Sequence, residues 1–259
     1  MHSNNIRPKK SLGQHYLKDE NIARKIVGLL EADGIGNVLE IGPGSGILTK
    51  ILFASDRYKT WAVEIDRDSV EALRTKFPDK HGQILHQNFL RFDPGMIASE
   101  DMAIIGNFPY NISSQIFFKI LEYRNQVTEV VCMVQKEVAE RISAAHGSKT
   151  YGILSVLLQA YYSVEYKFSV SPAVFYPVPK VNSAVIRLAR KKIRELDCNE
   201  ALFSRVVKAS FNQRRKMIRN SIKSLMPAEH PDHEFLSRRP EQLDITQFIS
   251  LTSWLQEII

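Results

Sequence analysis

Asn107-Phe108-Pro109-Tyr110 is the run in this 259-residue chain best suited to chemistry at a nitrogen. An amino group conjugated to a purine is a poor nucleophile, because its lone pair is delocalised into the ring. It improves when its hydrogens are held by two acceptors that favour a tetrahedral nitrogen. Asn107 offers a side-chain carbonyl and Phe108 a backbone carbonyl. Pro109 has no N–H to donate and biases Phe108 toward an extended conformation, so that carbonyl can face a pocket rather than a helix. Tyr110 adds a ring on which the base can stack. If the methyl donor is an already activated sulfonium, no strong general base is needed. Taken alone, such a tetrapeptide is a turn in most proteins. At the carboxyl end of a strand in an open α/β sheet, it stands where reacting groups sit.

The second candidate is the triplet Gly42, Gly44 and Gly46, with Glu64 about twenty positions beyond it. Glycines permit positive φ and keep side chains out of a ligand's way, and an acidic residue at that distance is placed to accept from ribose hydroxyls. Nicotinamide and S-adenosylmethionine enzymes share this pattern. The spacing G-x-G-x-G, with Glu40 in the preceding strand, departs from the dinucleotide fingerprint G-x-G-x-x-G. The bland readings are a tight strand-to-helix turn for the glycines and a solvated strand end for Glu64.

These groups need a framework of strands and helices to converge. Asp19 is placed to cap a helix bearing Ile22, Ile26, Val27 and Leu30 on one face, with Gly34 and Gly36 after it. Strands are predicted at 38–41, 60–64, 83–86, 102–106 and 127–134, alternating with helices at 47–53, 68–76 and 113–122, which argues for a doubly wound parallel sheet. A helix over 136–145, a break at 146–149 and an apolar helix over 151–160 follow. Two further strands at 161–170 and 184–188 are separated by Pro172, Pro177 and Pro179. Arg190, Lys191, Lys192 and Arg194 read as a linker, after which the pattern is helical at 200–212, 216–225 and 245–258. A domain boundary is therefore placed near Lys191, dividing 1–191 from 192–259. Residues 1–18 are polar and basic without a period, and read as a loose tail.

With 44% hydrophobic and 24% charged residues the composition is that of a globular protein. The net charge of +7 and a pI near 9.3 favour a polyanionic partner, nucleic acid before membrane. Cys132 and Cys198 lack metal-ligand spacing and read as reduced thiols, with no metal expected. No apolar run is long enough to span a bilayer. Arg7, Lys9 and Lys10 are followed by no apolar segment that would make a secretory signal, so the expected location is the cytoplasm. The cluster Arg214, Arg215, Lys216 and Arg219 reads either as a solvated helix face or, with Lys9, Lys10 and the linker cations, as a phosphate-binding track that positions RNA without reading its sequence.

The chain resembles the ribosomal RNA adenine dimethyltransferases, in particular the bacterial small-subunit type. The resemblance rests on Gln14-His-Tyr-Leu17, Glu40-Ile-Gly-Pro-Gly-Ser-Gly46, Glu64-Ile-Asp66, Asn107-Phe-Pro-Tyr-Asn-Ile-Ser113, Gly147-Ser-Lys-Thr-Tyr-Gly152, Phe175-Tyr-Pro-Val-Pro-Lys-Val-Asn-Ser183 and Phe211-Asn-Gln-Arg-Arg-Lys216, which span nearly the whole length. It implies a Rossmann-like S-adenosylmethionine-dependent methyltransferase domain with a small all-helical C-terminal domain. The implied activity is dimethylation of N6 on two adenosines in a hairpin near the 3′ end of small-subunit ribosomal RNA, by a monomer acting on a pre-ribosomal small subunit. It further implies that His15 and Leu17 close over the cofactor, that the Gly42 and Gly44 turn and Glu64 hold it, and that Asn107 is catalytic. Phe175, otherwise a core aromatic, would stack on the face of the target adenine opposite Tyr110. Asn88 stands where the family usually has an aspartate accepting from the cofactor's adenine amino group, so that contact loses its charge assistance. Two alternatives stay open: a large-subunit dimethyltransferase, and an assembly or transcription factor that binds nucleic acid through the same surface without catalysis.

Overall fold

The computed structural model describes residues 8–97, 101–193 and 195–259; Arg7 and Arg194 lie outside them. The chain divides into two compact units. The first holds the described residues up to Ala139 together with Glu165–Arg190, and the second Glu140–Val164 with Lys191–Ile259.

The first unit is built on β2 (Asn37–Ile41), β3 (Lys59–Glu64), β4 (Ile84–His86), β5 (Met102–Asn107) and β6 (Val127–Gln135). β2 lies between β3 and β5, β4 flanks β3 and β6 flanks β5, all parallel. Residues Val130–Val134 of β6 are wholly buried, which explains an uninterrupted apolar run where a half-exposed strand would alternate. The full order is β4-β3-β2-β5-β6-β9-β7, adding β9 (Ser183–Arg190) and β7 (Tyr162–Val170). The sheet is therefore mixed: β9 runs antiparallel to β6. It is reached through the proline loop after β8 (Phe175–Tyr176), and a strand that arrives without a crossover helix is free to run against its neighbour. Strand order reverses at β2 and β5, so a crevice opens where their carboxyl ends diverge.

Two helices steer the chain into that crevice. Asp19 caps α1 (Glu20–Val27), accepting from the backbone N–H of Asn21 and Ile22 at 2.8 and 3.1 Å. The helix stops at Gly28, short of Gly34. α2 (Ile47–Phe53) follows the glycine turn directly. The described part of the N-terminal segment is no loose tail: β1 (Tyr16–Leu17) pairs antiparallel with β8, Tyr16 opposite Tyr176 and Leu17 opposite Phe175. A two-residue strand whose partner lies far along the chain has no period to read.

In the second unit α6 (Ile153–Tyr161) buries Leu154, Val156, Leu157, Leu158 and Ala160, faces too many for one sheet to cover. It packs on α7 (Glu200–Asn212) and α9 (Ile245–Ile258). Tyr151 meets Phe211 edge-on at 5.8 Å, and Phe211 lies 5.9 Å from Phe248. The helix expected over 216–225 is shorter: Gln213–Lys216 is a turn, and α8 (Ile218–Ser221) gives way to a 3-10 turn at Lys223–Leu225. Ile218 N–H donates to Arg238 O at 2.8 Å, a long-range bond that anchors the helix start. No helix among the described residues is long and apolar enough to cross a membrane.

Candidate active site

The crevice is a cleft lined by Gln14, His15, Tyr16, Gly42, Gly44, Glu64, Ile65 and residues 107–110, among others. Three consecutive strand ends supply its floor. Gly42, Gly44 and Gly46 all have positive φ (65, 52 and 76°), as the turn from β2 into α2 requires. At Gly44 a second reason applies: a Cβ there would stand 2.7 Å from the Tyr16 ring, so only glycine lets the N-terminal segment lie across the turn. Gly106 plays a similar part in β5, where a Cβ would meet Ile41 O at 2.5 Å. Its absence of side chain brings Asn107 beside the glycine turn.

Glu64, at the end of β3, is 4% exposed. Oε1 accepts from the N–H of Ile65 (2.8 Å) and Asp66 (2.9 Å), and Oε2 from Gly44 N–H (3.1 Å). Burial pushes its pKa up, and these three amides pull it back. A carboxylate has about four acceptor sites, so one remains on Oε2 for a ligand hydroxyl.

Asn107 is the most exacting group in the cleft. Its Nδ2 donates to His15 O at 2.8 Å, which fixes the amide's orientation, while Oδ1 is buried with no hydrogen-bond partner. Leaving a buried acceptor unpaired costs about 1–3 kcal/mol, so this atom is set for a donor that arrives from outside. Phe108 is wholly buried, its ring 5.7 Å from Phe117, and only its backbone is available to a ligand. Tyr110 hydrogen-bonds Ser183 Oγ, and one face of its ring is covered by His15 at 5.3 Å and 26°. The His15 ring is held by Nδ1, which donates to Pro177 O at 2.8 Å.

Three expected roles look different in three dimensions. Phe175 is wholly buried in the core cluster that also holds Leu17, Val170 and Val185, and does not line the cleft as a second wall for a base. The pairing of β8 with β1 turns it inward and leaves Tyr176, its neighbour, exposed. Asn88 caps the turn Phe89–Arg91 by accepting from Leu90 N–H at 3.0 Å, so its amide oxygen has one lone pair left. The proposed phosphate track also loses members. Arg214 donates to Ser148 O and Lys149 O, Arg190 is paired with Asp101, and Lys9 with Asp66 and Asp68. Arg215, Lys216 and Arg219 stay exposed.

Other groups in the cleft carry no mark in the sequence strong enough to single them out. Glu40 is 1% exposed, its Oε2 has no partner, and it lines an adjoining recess with Gly42, Pro43, Leu17 and Asn107. Burial above all, and repulsion from Glu64, raise its pKa to about 8, with Thr49 opposing. Tyr16 Oη is a second buried, unpaired group. Ile65 is 47% exposed in the cleft wall, an apolar surface at a strand end. A spare acceptor on Glu64, orphan oxygens on Asn107 and Glu40 and a side-chain-free glycine turn together fit a nucleoside that carries hydroxyls and a cationic amino-acid end. Among the described residues no cluster of His, Cys, Asp and Glu could hold a metal ion.

Residues 5–256 match the family model described as ribosomal RNA adenine dimethylase. The chain is 52% identical over 249 residues to ribosomal RNA small subunit methyltransferase A of Parabacteroides distasonis, covering 95% of this chain and 93% of that one. It is 49% identical over 252 residues to the protein of the same name from Cytophaga hutchinsonii (96% and 98%). Among solved structures, the 23S rRNA methyltransferase ErmE superposes with a TM-score of 0.67 at 25% identity, over 92% of this chain and 99% of that one. A dimethyladenosine transferase from Plasmodium falciparum shares the fold with a TM-score of 0.73 at 24% identity, over 91% and 95%.

Proposed function

The chain belongs to the ribosomal RNA adenine dimethylase family, and from that premise we propose that it dimethylates N6 of two adjacent adenosines in a hairpin near the 3′ end of small-subunit ribosomal RNA, using S-adenosylmethionine, while that subunit is being assembled. The small-subunit reading is favoured over the large-subunit one by the relatives at about half identity, whose name specifies the small subunit.

The observation that carries the reaction is Asn107 Oδ1, buried, unpaired and held in place through Nδ2. The cofactor supplies a methyl group already activated on a sulfonium. Glu64 Oε2 would take a ribose hydroxyl, the glycine turn would face the nucleoside, and the Glu40 carboxyl, protonated in the free chain at neutral pH, would release its proton to solvent on receiving the ammonium. The target adenine must leave its stack to enter the cleft. Its amino hydrogens are accepted by Asn107 Oδ1 and the Phe108 carbonyl, which draws the nitrogen lone pair out of conjugation as the N–C bond forms. Tyr110 offers the stacking surface, and a base taking the face that His15 now covers displaces an imidazole held by its bond to Pro177 O. The proton leaves to solvent after transfer, so the reaction needs no strong base beside Asn107.

The test gives purified Asn107→Ala immature small subunits, unmodified or monomethylated, at saturating cofactor. Loss of one preorganised polar contact of this kind costs about a hundredfold or more in rate. The first methylation should suffer more than the second, since a monomethylated nitrogen has one hydrogen left to donate. Near-native rates on both substrates would overturn the mechanism.

A further inference from the structure

A tyrosine ring turns about its side-chain bonds, so Tyr110 offers a stacking face only if something fixes it. Two contacts do so. His15 covers one face of the ring, and the phenol Oη shares a hydrogen bond with Ser183 Oγ, 73 positions further along the chain. The first contact is the one that an entering base displaces. The second can survive entry, because Oη lies in the plane of the ring, at its edge, and leaves the face clear.

Ser183 is the first residue of β9, wholly buried and opposite Gln135 at the carboxyl end of β6. An antiparallel strand starts where its parallel neighbours finish, so β9 brings its first side chain, and not its last, to the crevice end of the sheet. The position is firmly built. Lys136 N–H donates to Asn182 O at 2.9 Å, just before Ser183 enters the ladder with β6. Among the described residues, Tyr110 is the one hydrogen-bond partner of the Ser183 hydroxyl. Burial pushes the phenol's pKa up, with Ser183 opposing, so Tyr110 keeps its O–H at neutral pH and stays able to pair.

We propose that Ser183 is a positioning residue for methyl transfer: its Oγ fixes the Tyr110 ring, so that a flipped base finds its stacking face already in place. The proposal rests on the methyltransferase reading above, which supplies the base. A preset ring orients the base at the moment of reaction, so the bond acts on the rate rather than on cofactor binding. The ring of the base is the same whether its nitrogen is unmodified or monomethylated. Ser183 therefore serves both methylations equally, whereas Asn107 serves the first more than the second.

The experiment follows methyl transfer by the full-length chain to immature small subunits, unmodified or monomethylated, at saturating cofactor. Ser183→Ala should lower kcat about three- to tenfold, the ordinary worth of one hydrogen bond, with KM for the subunit close to native, because the ring's face matters only after the base has left its stack. Both methylations should slow by the same factor. Tyr110→Phe keeps the ring and cuts the same bond from the other end, so it should match Ser183→Ala, and the double variant should be no slower than either single one. Calorimetry should find cofactor affinity unchanged in all three, which a general disturbance of β9 would not allow. A native kcat in Ser183→Ala, additive losses in the double variant, a slowing confined to the first methylation or a matching loss of cofactor affinity overturns the proposal. If Ser183→Ala does not fold, Tyr110→Phe decides alone, and a native kcat there overturns the positioning bond. A native chain that transfers no methyl group to immature small subunits overturns the functional reading instead.

Discussion

At the scale of single residues, the cleft is marked by polar atoms that the fold buries and does not pair. Asn107 Oδ1 and Glu40 Oε2 each carry a desolvation cost that ligand binding can recover. Glu40 makes that cost measurable. Its pKa is raised from 4.5 to about 8, so between those values the folded chain holds a proton that the unfolded chain has released. Native stability therefore falls as pH rises through that window, by an amount on the order of a few kcal/mol. Glu40→Gln, which cannot ionise, should raise Tm clearly at pH above 8 and little near pH 5; an equal gain at both would show that the carboxyl is not buried as described. Phe175 makes the opposite kind of claim. Because its ring is wholly buried, Phe175→Ala should cost about 3–5 kcal/mol of stability, read as a fall in Tm. A ring that served only as a wall of the cleft would leave Tm close to native.

At the scale of elements, short pieces do the positioning. The pairing of β1 with β8 brings Tyr16 across the glycine turn and sets His15 where its carbonyl holds Asn107 and its ring covers Tyr110. The turn Phe89–Arg91 decides what Asn88 can do, since capping consumes half of its acceptor capacity. Asn88→Asp would keep the cap, add a charge and restore a full acceptor. Calorimetry should find cofactor affinity equal to native or better, unless a nearby acid forces the new carboxyl to protonate. A large loss of affinity in a folded variant would remove Asn88 from the cofactor's surroundings.

At the scale of the whole molecule, the chain crosses between its two units at 139/140, 164/165 and 190/191, so neither unit is a single stretch of sequence. Cutting the chain after Lys191, where composition places a boundary, would strip α6 of α7 and α9 and expose Leu154, Leu157 and Leu158. Such a fragment should bind a hydrophobic dye strongly and lack a cooperative thermal transition; a sharp transition with no dye binding would contradict the packing assigned to α6. What the sequence by itself determined was whatever local periodicity or a short motif encodes. The alternation of β2 to β6 with helices, the glycine turn, Glu64 at the end of β3 and Asn107 at the end of β5 all follow from residues within a few positions of one another. What only the tertiary structure decided depends on residues far apart in the chain. The antiparallel β9, the inward Phe175, the covered face of Tyr110, the paired Lys9 and Arg190 and the bonds from Arg214 to Ser148 and Lys149 are set by partners 48 to about 160 positions away, as with His15 and Pro177 at a separation of 162. A side chain's chemistry is written in its type. Whether that chemistry is spent inside the fold or left for a ligand is settled by which distant groups the fold brings within hydrogen-bonding distance.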